Sequence, residues 1–352
     1  MTHDLEMYSV IEDAYEEIAN IVNGKSEIST FDEVLKLSLT KLQDRTQDRL
    51  SGIIAGVHTG IDELNTMIAG WQNGELIVIA ARPSMGKTAM ALHFAQSAAE
   101  RGKPVLIFSL EMSKNKLADR IILGESDVES KQYNHGNLDQ KEQLQVSEAA
   151  QKLSSLPIYI DDKSGINIDY ITSICRLNVR KNAVKLVVID YLQLIDMPND
   201  KGATRDQTIG IVTRKLKALS KELDIPIILL SQLNRSLETR TSKIPQLADL
   251  RESGNIEQDA DLVIFLYRPA YYKILVDESG KPTDNLLMLI TAKYRNGAMY
   301  DIPLWHNDTL TKFKGYDSGT QKLPFNFPKG IEPNQSFDYG KQQEITGIAE
   351  PF

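Results

Sequence analysis

Short apolar runs alternate with helical stretches through the middle of the chain. Continuous apolar runs are typical of strands buried on both faces, and strand–helix alternation is typical of a parallel sheet with right-handed crossovers. The pattern therefore predicts an α/β fold with a mostly parallel central sheet. The runs are ELIVIA (75–80), PVLIFSLE (104–111), IYIDD (158–162), KLVVID (185–190), IPIILLSQ (225–232) and DLVIFLYR (261–268). The helices predicted between them include 88–101, 168–182 and 207–223.

The pattern changes beyond residue 285. The segments NLLMLITAKYR and MYDIPLWH flank an Asn296-Gly297 pair, which predicts an antiparallel hairpin at the edge of the sheet. Beyond Tyr316 the chain is rich in Pro, Gly, Asn and Gln and has no periodicity. We expect that tail to be disordered, because such composition buries little apolar surface.

Two amphipathic helices are predicted before the alternating region. Apolar residues recur at helical spacing over 6–23, and a second helix is predicted over 31–43, opened by Thr30 and Glu33 in a capping-box pattern. Their apolar stripes dock either on the same chain or on a neighbouring subunit, and the sequence leaves both open. The predicted organisation is a helical N-terminal segment with a linker helix (1–50), a main domain (51–316) and a tail (317–352).

Composition is that of an ordinary soluble protein, with 352 residues of which 41% are hydrophobic and 25% charged. No apolar run is long enough to cross a bilayer, and the acidic N-terminus lacks a signal-peptide pattern, so we expect a cytoplasmic protein without a membrane partner.

The single cysteine, Cys175, is predicted to be a buried core thiol. The five histidines do not fall at zinc-ligand spacing. The net charge of −8 argues against a basic nucleic-acid coat, but it leaves room for a basic channel lining.

The segment AARPSMGKTAM follows the first predicted strand and opens a helix. It matches the phosphate-binding pattern G-x-x-x-x-G-K-[ST] except that Ala81 replaces the first glycine, which is acceptable if its φ is negative. The amides of such a loop surround phosphates at a helix N-terminus, where Lys87 should reach the β- and γ-phosphates of ATP and Thr88 should bind Mg²⁺. The predicted nucleotide-binding residues are Ala81, Arg82, Pro83, Ser84, Met85, Gly86, Lys87, Thr88 and Ala89.

Polar residues close three further strand runs. Asp190 ends KLVVID and is predicted to hold the metal, the alternative being a cap on the strand end. Glu111 ends the second run and could orient or deprotonate the attacking water, or be a plain surface glutamate. Gln232 could sense the γ-phosphate, or only terminate its strand. Because parallel strands end at one edge, we expect these groups to meet the phosphate loop there.

Lys293 and Arg295 lie two positions apart in TAKYRNGAMY. In an extended strand such residues point to the same face, so one strand would present two cations together. Solvent or a surface carboxylate is the simplest partner for them.

Five segments resemble, in order, the motifs of DnaB-type replicative helicases: ARPSMGKT, FSLEM, IDYLQL, SQLNRSLETR and DLRESGNIEQDADLVIFLYR. The resemblance runs from about Gly56 to Tyr316. It implies a RecA-like ATPase core, a hexameric ring, Mg-ATP hydrolysis and unwinding of duplex DNA in the 5′→3′ direction.

The resemblance also implies roles for single residues. Lys87 and Thr88 would bind phosphate and Mg²⁺, Glu111 would be the catalytic base, Asp190 the metal-binding acid and Gln232 the sensor. Arg120 matches an arginine that contacts nucleotide. Lys293 and Arg295 match paired cations that point at the γ-phosphate of a neighbouring subunit.

A DNA-binding role is implied for the DLRESG motif, in which Arg251, Glu252 and Gly254 match positions that hold the backbone of single-stranded DNA. An arginine and a glycine amide can bind a phosphate without reading a base, and Glu252 would orient Arg251 or contact a neighbouring chain. An ion-paired turn is the alternative. The loop at 197–207, with Lys201 and Arg205, is either a second channel loop or a solvated connector.

The chain departs from the family before its linker helix, where only about 50 residues replace a globular helical domain that binds primase in bacterial proteins. It is then either a fragment or a naturally short version of the kind a phage or mobile element carries, which weakens any inference about primase binding or a double-tiered ring. Two other functions stay open. One is a RecA-like ATPase that binds DNA without unwinding it, and the other is an assembly platform that ATP only stabilises.

Overall fold

The computed structural model describes residues 29–196, 205–250, 254–276 and 282–316. The chain divides into two compact units, residues 1–55 and 56–352, and each is described by itself. The predicted helix over 6–23 and the predicted tail lie outside the described residues.

The first unit contains helix α1 (Phe31–Leu50). The predicted capping box is confirmed, since the Thr30 amide donates to Glu33 Oε2 at 2.7 Å and the Glu33 amide donates to Thr30 Oγ1 at 3.4 Å. The helix runs seven residues past its predicted end at 43, because good helix formers such as Gln and Arg sustain it where the apolar period stops. Large apolar side chains along it are exposed, among them Phe31, Val34, Leu35, Leu37, Leu39 and Leu42.

The second unit is built on a nine-stranded sheet. All six apolar runs form strands, and the first six strands are parallel, as predicted. Five of these strands are almost wholly buried because helices cover both faces, whereas the strand at 158–161, at the edge of the sheet, is partly exposed. The strands are β1 (Leu76–Ala81), β2 (Val105–Ser109), β3 (Ile158–Asp161), β4 (Leu186–Asp190), β5 (Ile227–Gln232), β6 (Leu262–Tyr267), β7 (Leu286–Tyr294), β8 (Asp301–His306) and β9 (Phe313–Gly315). Their order in the sheet is β3-β2-β4-β5-β1-β6-β7-β8-β9.

The last three strands are antiparallel, which confirms the edge hairpin and adds β9 to it. The reversal between β7 and β8 takes residues 295–300 and is not a tight Asn-Gly turn. Gly297 is needed there for close packing, since a Cβ on it would lie 2.7 Å from the Tyr294 ring.

Two layers of helices enclose the sheet. The helix after the phosphate loop packs on one face, and the two helices beside β4 and β5 pack on the other. Cys175 is buried among the latter, as predicted, and burial raises the pKa of its thiol to about 12. The helices are α2 (Asp62–Ile68), α3 (Lys87–Glu100), α4 (Lys114–Ser126), α5 (Ser130–His135), α6 (Gln140–Leu153), α7 (Ile168–Asn182), α8 (Arg205–Leu223) and α9 (Gly254–Asp259).

Among the described helices, none combines the length and the apolar character needed to span a membrane. The same residues contain no group of His, Cys, Asp and Glu side chains arranged to hold a metal ion by themselves.

Candidate active site

The phosphate loop connects the end of β1 to the start of α3. Ala81 has strand geometry and pairs with Gln232 of β5, so alanine fits where the pattern has glycine. Gly86 caps α3 with a φ of 94°, which is the region that favours glycine. A Cβ there would also meet the Leu310 side chain at 3.4 Å, in the loop between β8 and β9. The loop therefore has the strand–loop–helix form that presents backbone amides to an anion.

Two side chains of the loop anchor it to the protein. The Arg82 guanidinium is 6% exposed, donates to Glu238 Oε1 from Nε at 3.0 Å and from Nη2 at 2.6 Å, and donates to the Leu233 carbonyl at 2.8 Å. The Met85 side chain is buried, whereas Pro83 and Ser84 are exposed. The guanidinium of Arg82, predicted to be near nucleotide, is thus occupied by protein partners, which leaves only its backbone for a ligand.

Asp190 ends β4 beside the first turn of α3. Its Oδ2 accepts a hydrogen bond from Thr88 Oγ1 at 2.6 Å, as expected for two ligands of one metal ion. Its buried Oδ1 has no hydrogen-bond partner among the described residues. Burial raises the pKa of Asp190, the charge of Lys87 and the Thr88 hydrogen bond lower it, and the nearby charge of Glu111 raises it. The Asp190 carboxylate and the Thr88 hydroxyl offer oxygen ligands, and Asp190 Oδ1 has no hydrogen-bond partner among the described residues. Such a site fits Mg²⁺, a hard cation that binds oxygen ligands.

The Lys87 ammonium lies 4.0 Å from the centroid of the Tyr191 ring. Burial lowers its pKa, and the carboxylates of Asp190 and Glu111 act in the opposite direction. A cation held over an aromatic face and close to two carboxylates has given up much of its hydration. An anion placed at the loop would provide it with a stronger partner.

Glu111 does not end β2, as the sequence suggested, because the strand stops at Ser109 and Glu111 follows in an exposed bend. The Leu110 amide donates to the Asp190 carbonyl at 2.8 Å, which fixes the bend beside β4. Arg120 lies exposed on α4, near enough to lower the pKa of Asp190. The structure therefore brings both residues to the edge where Asp190 lies.

Lys293 lies in β7, whereas Arg295 is the first residue of the turn after it, so the prediction that one strand presents both cations is wrong for Arg295. Both side chains nevertheless reach the end of α9. Lys293 Nζ donates to the Ala260 carbonyl at 2.8 Å, just past the end of α9. The Arg295 guanidinium contacts the Gln258 carbonyl, and its Nη1 lies 3.3 Å from Asp261 Oδ1. The cations thus have partners within their own chain, while the Arg295 side chain stays 46% exposed. Their contact with a neighbouring γ-phosphate stays a prediction.

Among the predicted DNA-binding residues, Lys201, Arg251 and Glu252 lie outside the described residues. Arg205 is the first residue of α8 and Gly254 is the first residue of α9. These two helix starts are joined, because Asn255 Nδ2 donates to the Asp206 carbonyl at 3.2 Å. The two segments predicted to touch DNA therefore lead into helices that contact each other.

Arg268 was not singled out from the sequence. It follows β6, and its Nη1 donates to the Ser84 carbonyl in the phosphate loop at 3.2 Å. Its buried Nε has no partner among the described residues. A cation directly after a strand next to β1 was the available signal. Arg268 is positioned to support the loop or to contact a ligand bound there.

Comparison with known proteins agrees with this geometry. The family model described as DnaB-like helicase C terminal domain matches residues 56–315. A probable replicative DNA helicase of Trieres chinensis is 43% identical over 266 residues, which are 75% of this chain and 58% of that protein. The chain spans 57% to 68% of the length of the first three curated helicases it matches.

Two solved structures share the fold. A separately solved ATPase domain has a TM-score of 0.75 and 34% identity, covering 83% of this chain and 100% of that one. A DnaB-like replicative helicase, studied with its interactions with primase, has a TM-score of 0.73 and 33% identity, covering 89% of this chain and 74% of that one. Since the family model covers most of the second unit, the chain belongs to the DnaB-like helicase C-terminal domain family.

Proposed function

We propose that the protein is an ATP-dependent replicative DNA helicase. The observation that carries this proposal is the contact between Thr88 and Asp190, at 2.6 Å, beside the unpartnered Asp190 Oδ1. It joins a phosphate loop to an acid in the way that metal-dependent phosphoryl transfer requires. Membership of the DnaB-like helicase family and similarity to a probable replicative DNA helicase support DNA unwinding as the process that ATP hydrolysis drives.

In the proposed reaction the loop amides and Lys87 bind the phosphates of ATP at the N-terminus of α3. Thr88 and Asp190 would hold Mg²⁺, which when bound would supply positive charge to balance the charge that develops on the phosphates. Glu111 accepts a proton from the attacking water, and its exposed bend leaves room for that water. Gln232 contacts the γ-phosphate, and Arg120 lies close enough to add positive charge.

The working form is a hexameric ring around single-stranded DNA, along which it moves 5′→3′ and separates a forked duplex. Arg251 and the amide of Gly254 hold the DNA backbone, Glu252 orients Arg251, and Lys201 and Arg205 form a second contact. The exposed apolar residues of α1 support subunit association, because such a face gains stability when another surface covers it.

Lys293 and Arg295 complete the site of the neighbouring subunit in the proposed ring. To do so they would leave the carbonyls at the end of α9 for the γ-phosphate of the neighbour. A phosphate offers a cation a stronger charge-assisted hydrogen bond than a carbonyl does.

A primase and a helicase loader are the further partners we propose, acting in the cytoplasm of a bacterial cell. One structural relative was studied with its interactions with primase. A pull-down with primase tests that partner separately from the helicase activity.

Unwinding of forked duplexes tests the function. The 5′-tailed substrate is a fork with a long 5′ tail and a short 3′ tail, and the 3′-tailed substrate has the reverse lengths. The wild type is compared with Lys87→Ala on each. We expect ATP-dependent strand separation on the 5′-tailed substrate by the wild type alone, with rings in negative-stain images. DNA-stimulated ATP hydrolysis without strand separation would instead indicate a DNA-binding ATPase.

A further inference from the structure

The ladder between β4 and β5 stops before β5 ends. Its last pair is Ile189 with Leu229, whereas β5 continues to Gln232 along β1. Beyond Leu229, the side of β5 that faces β4 therefore lacks a strand partner. Gln232, which the proposed function places at the γ-phosphate, lies in this stretch.

The side chain of Gln193 takes the place of the missing strand. Its Oε1 accepts from the Gln232 amide at 3.3 Å, and its Nε2 lies 3.4 Å from the Gln232 carbonyl. The same Nε2 donates to Ser231 Oγ at 3.0 Å. A carboxamide carries one acceptor and two donor hydrogens, so it can bond both backbone groups of one residue as a neighbouring peptide would.

The position of Gln193 in the chain determines which two parts of the proposed site this contact joins. Gln193 lies in the 3₁₀ turn Leu192–Leu194, immediately after Asp190 and Tyr191. Leu192 is fully buried and fixes the turn, and Asp190 is hydrogen-bonded to Thr88. One amide thus ties the turn behind the proposed metal-binding acid to the backbone of the proposed sensor.

We propose that Gln193 is a positioning residue for ATP hydrolysis, which sets the place of Gln232 relative to Asp190. The proposal rests on the proposed function, since it needs Gln232 to act on bound ATP. Without the amide, the backbone of Gln232 has no hydrogen-bond partner on the side of β4 among the described residues. A displacement of a catalytic group by about 1 Å can reduce a rate by roughly 100-fold.

Two substitutions remove the contact in different ways. Gln193→Met keeps a stem of similar shape and removes the amide, whereas Gln193→Asn keeps the amide but is one methylene too short to reach Gln232. Gln151→Met, on the exposed side of α6, is the matched control. Each variant is compared by thermal melting, by affinity for a fluorescent ADP analogue, and by kcat and KM for ATP with single-stranded DNA present.

We expect both Gln193 variants to lower kcat at least about tenfold, with KM and ADP affinity changed by less than about threefold. The Gln151 control should match the wild type. In a cycle with Gln232→Ala, the Gln193→Met substitution should cause no further loss, because both act through the same group.

Independent losses in that cycle, or a wild-type kcat in either folded Gln193 variant, would overturn the proposal. A drop in melting temperature with kcat per folded molecule unchanged would do the same, since it would make the contact structural only. Lys87→Ala, measured in the same series, separates this inference from the proposed function. If Lys87→Ala is inactive and Gln193→Met is fully active, the positioning role alone fails. If Lys87→Ala is active, the proposed function fails.

Discussion

Thr88 donates a hydrogen bond to Asp190 across 2.6 Å, and so joins the first turn of α3 to the end of β4. The two residues are 102 positions apart in sequence. The contact places a hydroxyl and a carboxylate of different elements at one point, next to an oxygen without a partner among the described residues. In the proposed reaction, this is the point at which Mg²⁺ is held.

The contact between Thr88 and Asp190 predicts that two small substitutions of Thr88 differ in their effect on ATP hydrolysis. Thr88→Ser keeps the hydroxyl and should retain most ATP hydrolysis. Thr88→Val keeps the shape and loses the oxygen, so we expect roughly a hundredfold lower kcat, equivalent to about 3 kcal/mol of transition-state stabilisation. Steady-state ATP hydrolysis at several Mg²⁺ concentrations checks both. Equal activity of the two variants would remove Thr88 from the metal site.

Glu111 should act on water without contributing to nucleotide affinity. We expect Glu111→Gln to bind a fluorescent ATP analogue like the wild type and to hydrolyse ATP very slowly, because only the proton acceptor is lost. Equilibrium binding and single-turnover hydrolysis measure the two effects separately. Glu129→Gln, an exposed-loop change outside the site, serves as control. Greatly weakened nucleotide binding by Glu111→Gln would contradict the assigned role.

The parts of the account that the sequence predicted are those that local patterns determine. Continuous apolar runs identified β1 to β6, and the glycine and lysine spacing identified the loop before α3. The helices α4 to α6 were not predicted, and few of their side chains are buried.

Contacts between segments that are distant in the chain could not be predicted from the sequence. The partner of Arg82 is Glu238, 156 residues away, and the amide of Gln193 meets β5 39 residues further on. Lys293 and Arg295 were predicted to share one face of a strand, but Arg295 lies in the turn after β7, and the partners of both depend on where α9 ends. Such pairings depend on how distant elements pack, and no periodic pattern in the sequence indicates them.

His93 should make the folded chain sensitive to mild acid. Burial lowers its pKa below the ordinary value of 6.5, while a hydrogen bond to Gly60 raises it. The folded state then binds fewer protons than the unfolded state. Stability is therefore fully present above pH 6.5 and is lost as the pH falls from 6.5 towards the folded pKa.

Melting temperatures measured from about pH 7.5 to about pH 5.5 check this, with His93→Gln as the test variant. We expect the wild type to lose melting temperature over that range and the variant to lose less. Replacement of exposed His135 by Gln is the control and should leave the wild-type dependence unchanged. If His93→Gln and the wild type lose the same amount, burial of His93 is not the cause.

Arg295 should make hydrolysis depend on assembly. We expect Arg295→Ala to bind ATP normally and to hydrolyse it slowly, since an arginine supplied by a neighbour accelerates phosphoryl transfer by ~10³–10⁵ in well-studied enzymes. Mixing with Lys87→Ala subunits should restore some activity, because a Lys87→Ala subunit supplies an intact Arg295 to the intact phosphate loop of a neighbouring Arg295→Ala subunit. Arg176→Ala, which breaks an exposed ion pair with Glu222, is the control. Mixed rings without recovered activity would argue for a role of Arg295 within its own chain.

ATP hydrolysis by Lys87→Ala tests the central claim most directly, because that side chain lies in the phosphate loop and close to Asp190 and Glu111. The rate is measured with saturating single-stranded DNA and Mg²⁺, beside the wild type and beside Lys141→Ala, a change on the exposed surface of α6. The account predicts DNA-stimulated hydrolysis by the wild type and the control, and none above background by Lys87→Ala. Hydrolysis by Lys87→Ala near the wild-type rate would contradict it.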